Sequence, residues 1–407
     1  MISGKITISG TGCALADYLY DEIVFDDLDF SKYLSKKPGD GGLCPGNLVF
    51  IEEIEKFAGK PYNEIIRDII GIHTPPAFNV GGPSLVSLIH ASQMLDNVSY
   101  SVRFYGITGK DKTADKIFEI IQRTPLDIAN YSRIDNKGTP FTDVLSDSNY
   151  DNGNGERTFI NNIGAAWDYS PAHLNCDFFD AHIVCFGGTA LVPQIHDSLT
   201  ALLKKAKNHN CITIVNTVFD FRNENIHPSK PWPIGSNTEL SLSLTDILIM
   251  DSEEAIKISG RSILSDAAMY FSKHQVSSFL ITNGTKEIIV YSNGAIFEKM
   301  DISSFPVSHK ILTELQSDPH LKGDTTGCGD NFAGGVIANT AEQLKSKDRG
   351  KLDLIEALSW GVASGGFACY YLGGTFCEKK QGEKLEIIKS YQIDYLKQID
   401  KYEFIDK

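Results

Sequence analysis

The sequence predicts an α/β protein: one large domain built on a mostly parallel central sheet, with a small β-strand lid at its edge. Three observations carry this prediction. Short β-rich runs alternate with helical patterns over most of the chain, which is how strand–helix crossover units read in sequence. Two separated stretches, about 17–50 and 139–161, break the alternation with paired-strand and turn signals. The 407 residues also exceed the roughly 250–300 at which a single core stops growing, so a large domain plus an appendage, or two domains, is expected.

In chain order, ITISG (6–10) reads as a first buried strand and SLVSLIHASQML (84–95) as a helix with a strong apolar face. SVRFYGI (101–107) is a strand and 113–123 a helix. AHIVCFGG (181–188), a helix over 194–209 and CITIVNTV (211–218) repeat the pattern. DILIM (246–250) precedes a helix over 252–259, and SFLIT (278–282) is the next strand. Helices over 331–344 and 352–371 fill the last third. ADYLYDEIVF, and the turn Asp151-Asn152-Gly153-Asn154-Gly155 before ERTFI, read as strand pairs that combine into the lid. Proline-rich loops lie at 227–234 and 306–323.

Charge and cysteine usage exclude several function classes. Lys plus Arg is 38 and Asp plus Glu 52, a net charge of −14, which disfavours nucleic acid or an anionic membrane as a general partner. None of the eight cysteines falls in a C-x-x-C pair, and most sit in apolar stretches, so we expect buried thiols in a reducing compartment. No apolar run is long enough to span a bilayer, and the N-terminal stretch reads as a strand rather than a signal peptide. A cytoplasmic location is expected.

The most informative stretch is Gly323-Asp324-Thr325-Thr326-Gly327-Cys328-Gly329-Asp330, just before a helical pattern. Small residues at a helix N-terminus present unsatisfied amides and the positive end of the helix dipole, which suits an anion. A carboxylate beside such a site, Asp330, has the chemistry to take a proton from a hydroxyl attacking a phosphoryl group. As an isolated feature, Asp330 reads equally well as a helix cap and the glycines as a plain turn.

The pattern Asp-Thr-Thr-Gly-Cys-Gly-Asp resembles the D-T-x-G-A-G-D signature of the ribokinase-like (PfkB) carbohydrate kinases, with Cys328 where alanine is usual. The resemblance implies a ribokinase-like three-layer sandwich over 1–407, Asp330 as catalytic base, and Gly327, Cys328 and Gly329 as an anion hole. Further matches follow in the family's order. Val80-Gly81-Gly82-Pro83-Ser84 resembles the G-G substrate loop, and Asp17, five residues after Gly12, the aspartate that binds sugar hydroxyls. Gly106-Ile107-Thr108-Gly109-Lys110-Asp111 resembles a structural G-x-x-G-x-D turn. Gly155-Glu156-Arg157-Thr158 resembles a lid strand from which Arg157 reaches a transferred phosphate; a solvated arginine fits the same residues.

On the nucleotide side, Asp251-Ser252-Glu253-Glu254 sits where the family has N-x-x-E, which organises Mg ion through water. Glu254 is the expected metal-side residue. The same residues make a capping box, which would account for them without any ligand. Thr282-Asn283-Gly284 resembles the T-x-G segment that contacts nucleotide phosphates, so Thr282 and Gly284 are assigned to ATP by resemblance, together with Asp251 and Thr326. Leu372-Gly373-Gly374-Thr375 follows the last long helix, as does the family's loop near adenine, and implicates Gly374; the run from Gly373 to Lys379 looks most like the adenosine kinase branch.

Departures matter too. Val86 stands where the family often has a substrate-touching asparagine, Asp251 replaces the usual asparagine, and the segments 25–78 and 306–323 are unusual in length or place. There is no P-loop motif, no G-x-G-x-x-G after the first strand and no paired His or Cys metal pattern. The expectation is therefore an ATP- and Mg-dependent kinase acting on a primary hydroxyl of a small sugar, with room for a monovalent cation and for a homodimer through the lid. The rivals are a nucleoside kinase and a non-catalytic sugar or nucleotide sensor on the same fold.

Overall fold

The computed structural model describes residues 4–400 apart from 38, 72–75, 96, 154, 324 and 347–349. Fourteen strands occur in the described residues: β1 (Ile6–Gly12), β2 (Leu15–Tyr20), β3 (Leu48–Phe50), β4 (Ala77–Gly81), β5 (Tyr100–Gly109), β6 (Asp127–Ile134), β7 (Phe141–Asp147), β8 (Glu156–Asn162), β9 (Ile183–Gly187), β10 (Ile212–Asn216), β11 (Ile247–Asp251), β12 (Ser278–Thr282), β13 (Ile288–Ser292) and β14 (Met300–Phe305). Nine form the main sheet in the order β14-β13-β12-β11-β10-β9-β1-β5-β6, and five form a second sheet in the order β3-β8-β7-β2-β4. From β12 to β6 every pairing in the main sheet is parallel; β13 and β14 add an antiparallel edge.

The interior strands are apolar on both faces because both faces are covered. In β9, Ile183 and Cys185 enter one hydrophobic core while Val184 and Phe186 enter the other. In β11, Ile247 and Ile249 divide from Leu248 and Met250 in the same way. Helices Pro83–Met94, Cys328–Ser346 and Leu354–Phe367 pack into the first core, and Leu199–Asn208, Ser252–Ser259 and Leu264–Lys273 into the second. The result is a three-layer α/β sandwich, as the alternation of elements predicts.

The second sheet also has two unlike faces. Asp17 of β2 pairs with Asn79 of β4 and Thr142 of β7, Thr142 pairs with Asn161 of β8, and Val144 pairs with Phe159. These residues therefore share one face. The opposite face, with Leu145 and Ile160, packs into a third core with Ile54, Ile65 and Ile69 of helices Ile51–Ala58 and Tyr62–Ile70.

Several boundaries differ from the sequence reading. Among the described residues of 17–50 only the end of β2 and the short β3 are strands. The rest is loop around a short helix, Leu28–Ser31, capped by Asp27 and anchored by the stacked rings of Phe25 and Phe30. The apolar residues there, among them Phe25, Phe30, Tyr33 and Leu43, pack beneath the sheet and not within it. Residues 106–109 are not a turn but the end of β5; the turn role falls to Asp111, which caps helix Lys112–Ile121 and accepts from the amide and hydroxyl of Thr139. The helix expected over 194–209 is broken at Ser198. Cysteine burial was overestimated: no cysteine is in a disulfide, but Cys44, Cys176 and Cys377 are exposed because each lies in a connection outside the sheet layers.

Candidate active site

Parallel strands end together, so the carboxyl ends of β1, β9, β10, β11 and β12 form one edge of the main sheet, where open α/β sheets hold ligands. Gly12, Gly187 and Asn216 lie side by side there, and Asp251 and Thr282 end the next two strands. The second sheet stands over this edge because β2 follows β1 after only two residues.

At one end of the cleft Asp17 is buried, 6% exposed, and its carboxylate fills the space a side chain at Gly81 would need. A Cβ on Gly81 would lie 2.0 Å from Asp17 Oδ2. Gly82 caps the helix Pro83–Met94. Asn79, beside Asp17, donates through Nδ2 to the carbonyls of Leu372 (2.6 Å) and Thr375 (3.3 Å) and so ties β4 to the loop around Gly373 and Gly374. Val86 lies under the C-terminal loop. It is buried, and a Cβ on Gly374 would come within 2.9 Å of its Cγ2. Here the position supports the C-terminal loop.

At the centre is the turn before helix Cys328–Ser346. Gly327 has φ +77°, a left-handed conformation that favours glycine, and a Cβ there would meet Gly374 Cα at 2.4 Å. Asp330 lies in the first turn of the helix and is half-buried; burial pushes its carboxyl up to about 7. Cys13, just after β1, has its thiol pushed up by burial and then by the charges of Asp330 and Asp17. The Cys328 and Cys369 sulfurs are 3.4 Å apart. Arg157 reaches down from β8 and donates to the hydroxyls of Thr326 (2.6 Å) and Thr325 (2.8 Å), with Phe159 5.6 Å from its guanidinium. The arginine is thus not simply solvated. Asp324 lies outside the described residues.

At the far end Asp251 and Glu254 form the predicted capping box. Asp251 Oδ1 accepts from the Glu254 amide (2.8 Å), and Glu254 Oε2 accepts from the Asp251 amide (3.1 Å). The Thr217 hydroxyl, which sequence reasoning missed, donates to the same Glu254 oxygen at 2.5 Å. Glu254 is 7% exposed, and its carboxyl is pushed up to about 8 by burial, then by the neighbouring charge of Asp251, with a smaller contribution from Asp330. A hard cation held through oxygen ligands relieves such crowding of carboxylates. Ser252 donates to Asn283 Oδ1 (3.0 Å), which joins this helix start to the Thr282-Asn283-Gly284 segment. A Cβ at Gly284 would meet nothing within 4 Å, so that end of the cleft is open.

The three-layer sandwich, the cleft at its strand ends and the small sheet over it define a ribokinase-like protein. The model of the pfkB family carbohydrate kinases matches residues 77–381, and the chain belongs to that family. Among solved structures it is similar to an adenosine kinase from Schistosoma mansoni in complex with 2-fluoroadenosine, at 17% identity and a TM-score of 0.66, covering 91% of this chain and 97% of that one. It is also similar to an Anopheles gambiae adenosine kinase bound to P1,P4-di(adenosine-5) tetraphosphate, at 20% identity and a TM-score of 0.62, covering 88% and 93%. A putative ribokinase II from E. coli in complex with ATP and Mg matches at 16% identity and a TM-score of 0.63, covering 95% and 98%. No curated protein sequence is significantly similar to the chain. No helix among the described residues is long and apolar enough to cross a membrane.

Proposed function

We propose that the protein transfers the γ-phosphoryl group of ATP to a primary hydroxyl of a small sugar-like acceptor. The observation that carries this reading is the position of Asp330. It stands in the first turn of the helix Cys328–Ser346, directly after the Gly327 turn that packs on Gly374. In this reading a proton acceptor is set between a buried hydroxyl-binding carboxylate and a carboxylate pair suited to a metal–nucleotide complex.

In this mechanism Asp17, with the close backbone of Gly81 and Gly82, binds the acceptor hydroxyls. Asp330 takes the proton of the attacking hydroxyl, and a base poised near neutrality is matched to that task. The amides of the Gly327-Cys328-Gly329 turn meet the charge on the phosphoryl oxygens. Arg157, held over Thr325 and Thr326, adds a cation on the lid side. Thr282, Gly284, Thr326 and Gly374 line the nucleotide path. Mg ion would be held through water near Glu254 and Asp251 and would neutralise phosphate charge. Among the described residues no three His, Cys, Asp or Glu groups form a metal cage.

The smaller sheet acts as the lid, its polar face of Asp17, Thr142 and Asn161 turned to the acceptor. Its outer face is covered by the chain's own helices, so a homodimer through the lid would meet those helices and not the sheet. A second reading, a nucleoside acceptor, is favoured by Phe159. This half-buried ring shares the inner face with Asp17 and offers a planar base a stacking surface. Screening sugars and nucleosides with MgATP for ADP release tests both. Release with no acceptor of either class would leave the sensor reading in its place.

A further inference from the structure

The signature turn is held from behind by a buried polar network that none of the motifs contains. Asn331, the residue after Asp330, is fully buried. Its Nδ2 donates to the carbonyls of Gly327 and Gly374, both at 2.8 Å, and so clamps the turn against the C-terminal loop. Its Oδ1 accepts from His90 Nδ1 (2.7 Å), Lys384 Nζ (3.0 Å) and the Tyr371 hydroxyl (3.1 Å). His90 Nε2 in turn accepts from Ser364 Oγ (2.9 Å), which sets the ring as the Nδ1–H tautomer. Lys384 opens the helix Glu383–Gln398 and is 1% exposed; its ammonium also donates to Gln93 Oε1 (3.1 Å). The Glu378 side chain accepts from the Lys384 backbone amide at 2.8 Å.

A buried ammonium held by two amide oxygens is costly, and an apolar side chain of similar size would fill the space more cheaply. We propose that Lys384 is a positioning residue for phosphoryl transfer: through Asn331 it fixes the Gly327–Gly329 turn against Gly374, and it places a positive charge behind the amides that meet the phosphoryl group. The inference rests on the kinase reading above. Burial pushes the ammonium down, while the charge of Glu378 works against that shift and helps to keep the proton. Lys384 is pushed down to about 7 and the buried His90 is held well below its ordinary range, so Lys384 rather than His90 carries charge in the network, below about that pH.

The test compares MgADP binding with and without aluminium fluoride, a mimic of the phosphoryl group in flight, by calorimetry on the full chain. Wild type should bind MgADP more tightly when the fluoride is present. Lys384→Met should bind MgADP alone as wild type does but lose that gain by roughly tenfold, less than the 10²–10³ of a direct donor. Lys384→Gln, which keeps a donor to Asn331 without the charge, should lose part of it and serves if the methionine variant does not fold. A full gain in either variant would overturn the inference and leave the kinase reading standing. No gain in wild type would sink the kinase reading and the inference with it.

Discussion

The two ends of the cleft are built in opposite ways. The phosphate end is local: Asp251 and Glu254 cap one helix, and Gly327 to Asp330 open another, each within a few consecutive residues. The acceptor end is assembled from afar. Asp17, Asn79, Thr142 and Asn161 meet only because β2, β4, β7 and β8 pair across the small sheet. Chemistry shared by a family can stay in short motifs at the first end, while the second is free to change with each strand. The phosphate end should therefore answer to single-residue changes in rate, and the acceptor end in affinity.

The largest effect should fall at the centre. Asp330→Asn is expected to lower kcat by about 10²–10⁴ while ATP and acceptor binding stay within several-fold. Titration sharpens this. Asp330 accepts a proton only when ionised, so kcat should rise with pH through about 7 in wild type. The same group makes a stability prediction of opposite sense. Its folded-state pKa is raised, so its destabilisation of the fold is full above about 7 and fades only as the pH falls towards the ordinary carboxylate range, about 4. Asp330→Asn should then melt higher than wild type at pH 8 and no higher in acid. A variant less stable at pH 8 would refute the assigned burial.

Next is Asp17→Ala, which should weaken the acceptor by about 1–3 kcal/mol, roughly 5- to 150-fold, and leave ATP affinity unchanged in calorimetry. Loss of ATP binding instead would exchange the two ends. Gly81→Ala forces a methyl group to within 2.0 Å of the Asp17 carboxylate, so the acceptor KM should rise by several-fold with a smaller change in the KM for ATP. The smallest effect concerns closure. The acceptor, more than ATP, should slow amide exchange in β2 and β7, because a transfer site must exclude water. Unchanged exchange at saturating acceptor would remove the lid role.

The same contrast governs what the sequence could reveal. The alternating core and the signature turn are contiguous patterns: Gly327 and Asp330 open one helix, Asp251 and Glu254 cap another, and Asp17 packs on Gly81. Asn79, Thr217 and Asn331 act through partners far along the chain, so no local spacing marks them. The helix Glu383–Gln398 escaped notice for a related reason. Its buried residues include Lys384 and Gln392 beside Ile388 and Tyr395, and polar members of a buried stripe hide its period. The stretch 17–50 reads as paired strands from its strand and turn signals, but Phe25, Phe30 and Tyr33 pack under the sheet instead.

The central claim is that Asp330 is the base of a phosphotransferase. It is tested most directly by ADP release from MgATP across a panel of sugars and nucleosides, in wild type and Asp330→Asn side by side. The account predicts ADP formed in step with one acceptor's phosphate ester by wild type, and a rate at least about a hundredfold lower in the variant. Equal rates in the two proteins, or no ADP with any acceptor, would contradict it.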